Sequence, residues 1–186
     1  MKPRSIHRRS SCIRSTAAAA ALTVLLHGCG VFATPEVTPP CPRVAVLADA
    51  ARLIKFRPGP GRDLTDVDFE ALIGGVDGTC SYDRRRSHVD VDFVIEMEVS
   101  RGPANGSRQA PVEFFVAVID PNQNILGKET FTSNVRFQDN MTRVRVTENI
   151  APRLPLKDIK VGGSYSVFVG LQLTAEELNY LRTRGR

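Results

Sequence analysis

The sequence predicts an all-β protein, an antiparallel β-sandwich of about seven strands with a short C-terminal helix. Three observations carry this expectation. Residues 88–100, "HVDVDFVIEMEVS", place Val89, Val91, Phe93, Ile95, Met97 and Val99 on one face and His88, Asp90, Asp92, Glu96 and Glu98 on the other, with Val94 among the acids. A period of two over this length is a half-buried strand. Further short apolar stretches follow one another between turn signals, and a helical pattern is confined to the C-terminus. Such a chain buries its apolar faces by packing one sheet on another.

Taken in order, "RVAVLADAARLIKF" (43–56) holds alanines that permit a helix, and its apolar residues assign it to a strand. "DVDFEALIGGVDGTCSY" (66–82) alternates at Val67, Phe69, Ala71 and Ile73, and its Gly74-Gly75 pair predicts a bulge or bend. "RPGPGR" and "GGVDG" combine glycine with Pro or Asp and are expected as turns, not phosphate loops. "PVEFFVAVID" (111–120) is apolar at nearly every position, as a central strand is. "DPNQN" (120–124) is a turn, and "ILGKETFTSNVRF" (125–137) is the return strand. "TRVRVTE" (142–148) and "SYSVFVGLQL" (164–173) complete the strands. In "TAEELNYLR" (174–182), Thr174 stands three residues before Glu177, the spacing of a capping box, which predicts a short helix.

The N-terminus carries different information. Residues 1–15 hold five Lys and Arg and no acid, and "TAAAAALTVLL" follows as an uncharged run of eleven. A basic region ahead of a short apolar run predicts a signal peptide; a spanning helix needs about 18–20 apolar residues. Removing residues 1–28 takes the whole +5 of the chain with it, because the remainder has 20 Lys and Arg against 20 Asp and Glu. No nucleic-acid partner is therefore expected. Four cysteines are present. Cys12 leaves with the signal and Cys29 stands at its end. Cys41 and Cys80 remain, and in an oxidising compartment a leftover pair is expected to form a disulfide.

Little in the mature chain points to catalysis. His88 is the one histidine after residue 28, so any Ser-His-Asp or Cys-His device would need it, and its place in the alternation predicts an exposed strand residue. No metal site or cofactor is expected, since zinc wants four ligands at close spacings. Two acidic runs are candidate surfaces: Asp63, Asp66, Asp68 and Glu70, and Asp90, Asp92, Glu96 and Glu98. Like charges at i+2 call for compensation, and Arg143 and Arg145, also at i+2, are expected to face the second run or share its sheet surface. If they do not pair, the acids remain as a docking patch for a basic partner.

Leu26-His27-Gly28-Cys29 resembles the bacterial lipobox, with His27 where that family has a small residue. The resemblance implies that Cys29 is acylated and becomes the first residue, and Gly30 after it implies the outer membrane, facing the periplasm. The alternative is ordinary secretion with cleavage after Ala33. Residues 29–40 then form the lipid anchor and a Pro-rich tether, about 30–35 Å long if extended, and 41–186 form one domain. The strand–turn–strand order of 41–173 resembles immunoglobulin-like and fibronectin-III-like envelope domains. The chain also resembles uncharacterised proteobacterial envelope lipoproteins through "LLHGC", "CPRVAVLADAARLIKFRPGPGRDLT" and "GVDGTCSYD". The expected function is a non-catalytic, membrane-anchored module that binds or scaffolds another envelope protein or a cell-wall component. The alternative is a periplasmic ligand-binding, ion-binding or hydrolytic domain using the clustered acids.

Overall fold

The computed structural model describes residues 39–184 apart from Arg86 and Lys157; the signal segment, Cys29 and the tether up to residue 38 lie outside the described residues. The strands are β1 (Arg43–Val46), β2 (Arg52–Phe56), β3 (Val67–Tyr82), β4 (His88–Arg101), β5 (Gln109–Ile119), β6 (Ile125–Arg136), β7 (Arg143–Ile150), β8 (Arg153–Pro155) and β9 (Ser166–Leu171), followed by helix α1 (Ala175–Arg184). They form a β-sandwich-like pair of sheets. One has four strands in the order β1-β9-β5-β6; the other has five, β2-β3-β4-β7 with β8 also on β4.

Among the described residues nine strands replace the expected seven, for two local reasons. Segment 43–56 is not one strand: a single 3-10 turn at Ala48–Ala50 breaks it, so that β1 joins one sheet and β2 the other. The chain after β7 makes a second, three-residue contact with β4 as β8, too short for a periodic signal. The pairing is antiparallel except at β1, which runs parallel to β9.

The alternation in β4 is borne out. Val89, Val91, Phe93, Ile95, Met97 and Val99 are buried and face Val112, Phe114, Val167, Val169 and Leu171 of the other sheet. "GGVDG" is not a turn but part of β3. The ladder with β4 shifts between Ile73 and Gly75, and this bulge changes which parity points inward. Before it Phe69, Ala71 and Ile73 are buried. After it Val76 lies across from Ile95, and Cys80 across from Val91, both on the core side. Cys80 thus reaches Cys41, which leads into β1 of the opposite sheet, and the expected disulfide forms with a Cα separation of 5.7 Å.

The two flanks of the sandwich differ. On one, the crossover from β1 to β2 joins the sheets and α1 lies against β2. Lys55 Nζ reaches Glu177 at 2.9 Å, Arg62 reaches Glu176 at 2.6 Å, and Phe56 meets Tyr180 edge-on at 5.0 Å. The capping box is formed as expected: Thr174 N donates to Glu177 Oε2 at 2.8 Å and Glu177 N to Thr174 Oγ1 at 3.2 Å. Burial raises the Glu177 pKa, but the Thr174 N–H and the Lys55 ammonium outweigh it and hold the carboxyl below its ordinary 4.5. Its contribution is therefore complete above that value and lost as pH falls through the lower, folded one. Glu177→Gln is expected to cost about 1 kcal/mol at neutral pH. In urea titrations the gap between the two proteins should narrow steadily below pH 4.5. A gap that widens in acid would contradict the assignment. On the other flank, β6 and β7 are edge strands with nothing across them among the described residues.

Residues Val37–Arg186 make one compact unit, divided from Met1–Glu36. It holds every described strand, the core and the disulfide, so residues 37–186 carry all the described contacts on which the fold rests.

Candidate functional site

Both acidic runs are placed by the strands that carry them. Arg143 and Arg145 do face the β4 acids, and both meet Glu98, at 3.2 and 3.3 Å. Asp90 is held by Arg153 of β8 at 2.7 Å, and this hydrogen bond keeps the Asp90 carboxyl below the usual range. Asp92 sits across from Thr79, and Glu96 across from Gly75 and Thr147; neither makes an ion pair among the described residues. The arginines thus compensate both ends of the run and leave its middle open. Each exposed cross-strand pair contributes roughly 0.2–1 kcal/mol, enough to favour register and little more.

The first run is divided among structural tasks. Asp63 caps the 3-10 turn Leu64–Asp66, accepting from Thr65 N at 2.8 Å. Asp66 is buried and paired with Arg57 at 2.5 Å. "RPGPGR" wraps around it: a side chain at Gly61 would collide with the Asp66 carboxylate, so only glycine fits there. Burial raises the Asp68 pKa, and Glu70 pairs with Arg52 at 2.7 Å on the outer face. Among the described residues no group of three or more His, Cys, Asp and Glu is placed to hold a metal ion.

His88 is not the exposed residue its position predicts: its side chain is 24% exposed, 3.6 Å from Asp83 on one side and from Asp90 on the other. Ser87 Oγ lies 3.3 Å from His88 Nδ1 and donates to Asp83 at 3.3 Å. These are the residue types of a nucleophilic device, but the 3.6 Å separations exceed a hydrogen bond, so no carboxylate orients the ring as such a device requires. What the geometry does is fasten the β3–β4 hairpin. The Asp83 carboxylate accepts from the backbone N–H groups of Arg85, Ser87 and His88, the His88 bond first in lowering its pKa.

The open flank holds a cleft of about 540 Å³, entered between β6 and β7. Val116, Val118, Phe131 and Ile150 line it, with Gly127 and Glu129 on the β6 wall. Glu129 is across from Val116 in the ladder, so it points between the sheets. Glu148 of β7, across from the buried Ile95, shares the inward parity of the facing edge, next to the cleft lining at Asn149 and Ile150. Neither carboxylate has a cation partner among the described residues. At the seam β6 carries Gly127 and Glu129, and β7 carries Glu148 between Val146 and Ile150, where core-filling aliphatics would be expected. Sequence reasoning missed these residues. The signal was present: Glu129 shares parity with Phe131 and Val135, and Glu148 with Val144, Val146 and Ile150. An acid inside an apolar parity on each of two strands marks a place where the core stops.

The geometry of this seam, an apolar floor with two inward carboxylates and an unpaired strand on either side, is read from the chain's own residues alone: no family model, curated protein or solved structure matches it.

Proposed function

We propose that this is a non-catalytic, lipid-anchored protein of the bacterial envelope, facing the periplasm from the outer membrane. In this reading it is a binding module that takes an extended, basic segment of another envelope protein into the β6/β7 seam. The observation that carries the binding role is the seam itself. An extended segment adds to a free strand edge through backbone hydrogen bonds and sends alternate side chains into the groove; here alternate side chains would meet Val116, Phe131 and Ile150, or the Glu129 and Glu148 carboxylates. Inward charges on edge strands also guard against indiscriminate sheet-to-sheet association, and a seam that selects a cationic segment does both. The anchor rests on the lipobox resemblance and Cys29.

The sandwich is proposed to be of the immunoglobulin and fibronectin-III kind. Support comes from strand order. β3, β4 and β7 lie side by side as strands A, B and E do in that fold, and β5 and β9 as C and F do. The departure is at the seventh position, where β1 lies beside β9 in parallel.

The test is in-cell photo-crosslinking from a probe at position 129, with one at the exposed Glu113 of β5 as control. Adducts should map to a Lys- or Arg-containing segment of one protein and disappear with Glu148→Lys. Equal adducts from both positions, or adducts indifferent to the charge reversal, overturn the seam. The anchor is tested separately: Cys29→Ala should stay uncleaved or leave the detergent phase, and unchanged fractionation overturns it.

A further inference from the structure

One end of the domain gathers the point where the chain enters and three loops. Tyr82 Oη donates to the Pro40 carbonyl at 2.7 Å, and Leu156 N to the Ser87 carbonyl at 2.9 Å. Arg43 lies beside Ser166, which lies beside Ile119 at the start of the β5–β6 turn. On this end Ile125 and Leu126 are adjacent and 66% and 51% exposed. Arg43, Arg84, Arg85 and Lys160 are also exposed there and make no ion pair among the described residues. The carboxylates of the same end keep their charge but are each engaged in hydrogen bonds of their own. Asp83 binds its own hairpin, Asp120 accepts from the backbone of Asn122 and Asn124, Asp158 from Lys160 N, and Asp90 holds Arg153.

We propose that this end rests on an anionic bilayer surface, with the guanidinium and ammonium groups at lipid phosphates and Ile125 and Leu126 at the headgroup–acyl boundary. The two features suit a bilayer together. Cations near an anionic leaflet gain from its surface potential, and exposed aliphatics beside them gain by leaving water. A tether from Cys29 joins the domain at this end and not at the end occupied by α1, so an anchored chain presents these residues to lipid first. The inference extends the anchored reading in that respect, and its test does not depend on acylation.

Residues 37–186, which lack Cys29, would be sedimented with vesicles of phosphatidylcholine alone and with added phosphatidylglycerol. Binding is expected only to the anionic vesicles and should fall as salt rises. Arg84→Gln with Arg85→Gln should weaken it about 10- to 30-fold, and Ile125→Ser with Leu126→Ser about 10-fold. Arg108→Gln with Arg136→Gln, an equal charge change at the far end, should leave it nearly unchanged. Absence of binding to anionic vesicles, or equal weakening by the two arginine pairs, overturns the proposal. A Cys29→Ala chain that fractionates like its parent would remove the anchor and leave the vesicle result standing on its own.

Discussion

Replacing Cys41 and Cys80 together with alanine should lower the stability of residues 37–186 by about 3–4 kcal/mol, the loop-closure entropy of a cross-link of this length. The bond spans a sequence separation of 39 and ties the segment entering one sheet to the last residues of β3 in the other. For a domain of this size the melting midpoint should drop by about 10 °C. Scanning calorimetry of the parent, the reduced parent and the double variant gives the measurement, and the latter two should coincide. A shift of one or two degrees would mean that the unfolded chain is held together by something else. Single Cys→Ala variants are less informative, because each leaves a reactive thiol.

Phe114→Ala should cost about 3–5 kcal/mol, the range for emptying a ring-sized volume in a packed core. Phe114 is 1% exposed, lies beside Leu171 of β9 and stacks on Phe131 with centroids 5.4 Å apart. Urea unfolding should show the loss as a lower midpoint with an unchanged slope, and Phe114→Leu should recover most of it. Phe131→Ala is the instructive companion. Phe131 borders the cleft and is only half-buried, so water already reaches one side of its ring and the loss should be clearly smaller. Equal losses would mean that the seam is closed in solution and that Phe131 belongs to the core.

Period-two alternation is enough to place β3 and β4, apolar stretches between turn signals place β5, β6, β7 and β9, and the capping box places the helix, because each of these local patterns records burial or a chain end. It could not say that 43–56 changes sheets. The turn at Ala48–Ala50 carries no Gly or Pro, and alanine suits strand, helix and turn too nearly alike for composition to choose. Nor could it find β8, whose pairing is decided by where β7 leaves β4 and not by its own three residues. The acids show the same limit from another side. Spacing placed Asp90, Asp92, Glu96 and Glu98 on one face, but which of them gains a cation depends on cross-strand register. That register delivers Arg143 and Arg145 to Glu98 and Arg153 to Asp90. The seam was legible in principle: Glu129 and Glu148 interrupt apolar parities on β6 and β7, a signal the regular alternation of β4 overshadows.

The bulge at Gly74 makes β3 a strand with two phases, and oxidation can read only one of them. If β3 paired with β4 without the extra residue, Cys80 would point to water, and Cys41, arriving from the other sheet, would have no sulfur within reach. The native bond therefore depends on strand register: in a folded sheet one residue out of step, Cys41 and Cys80 would not meet.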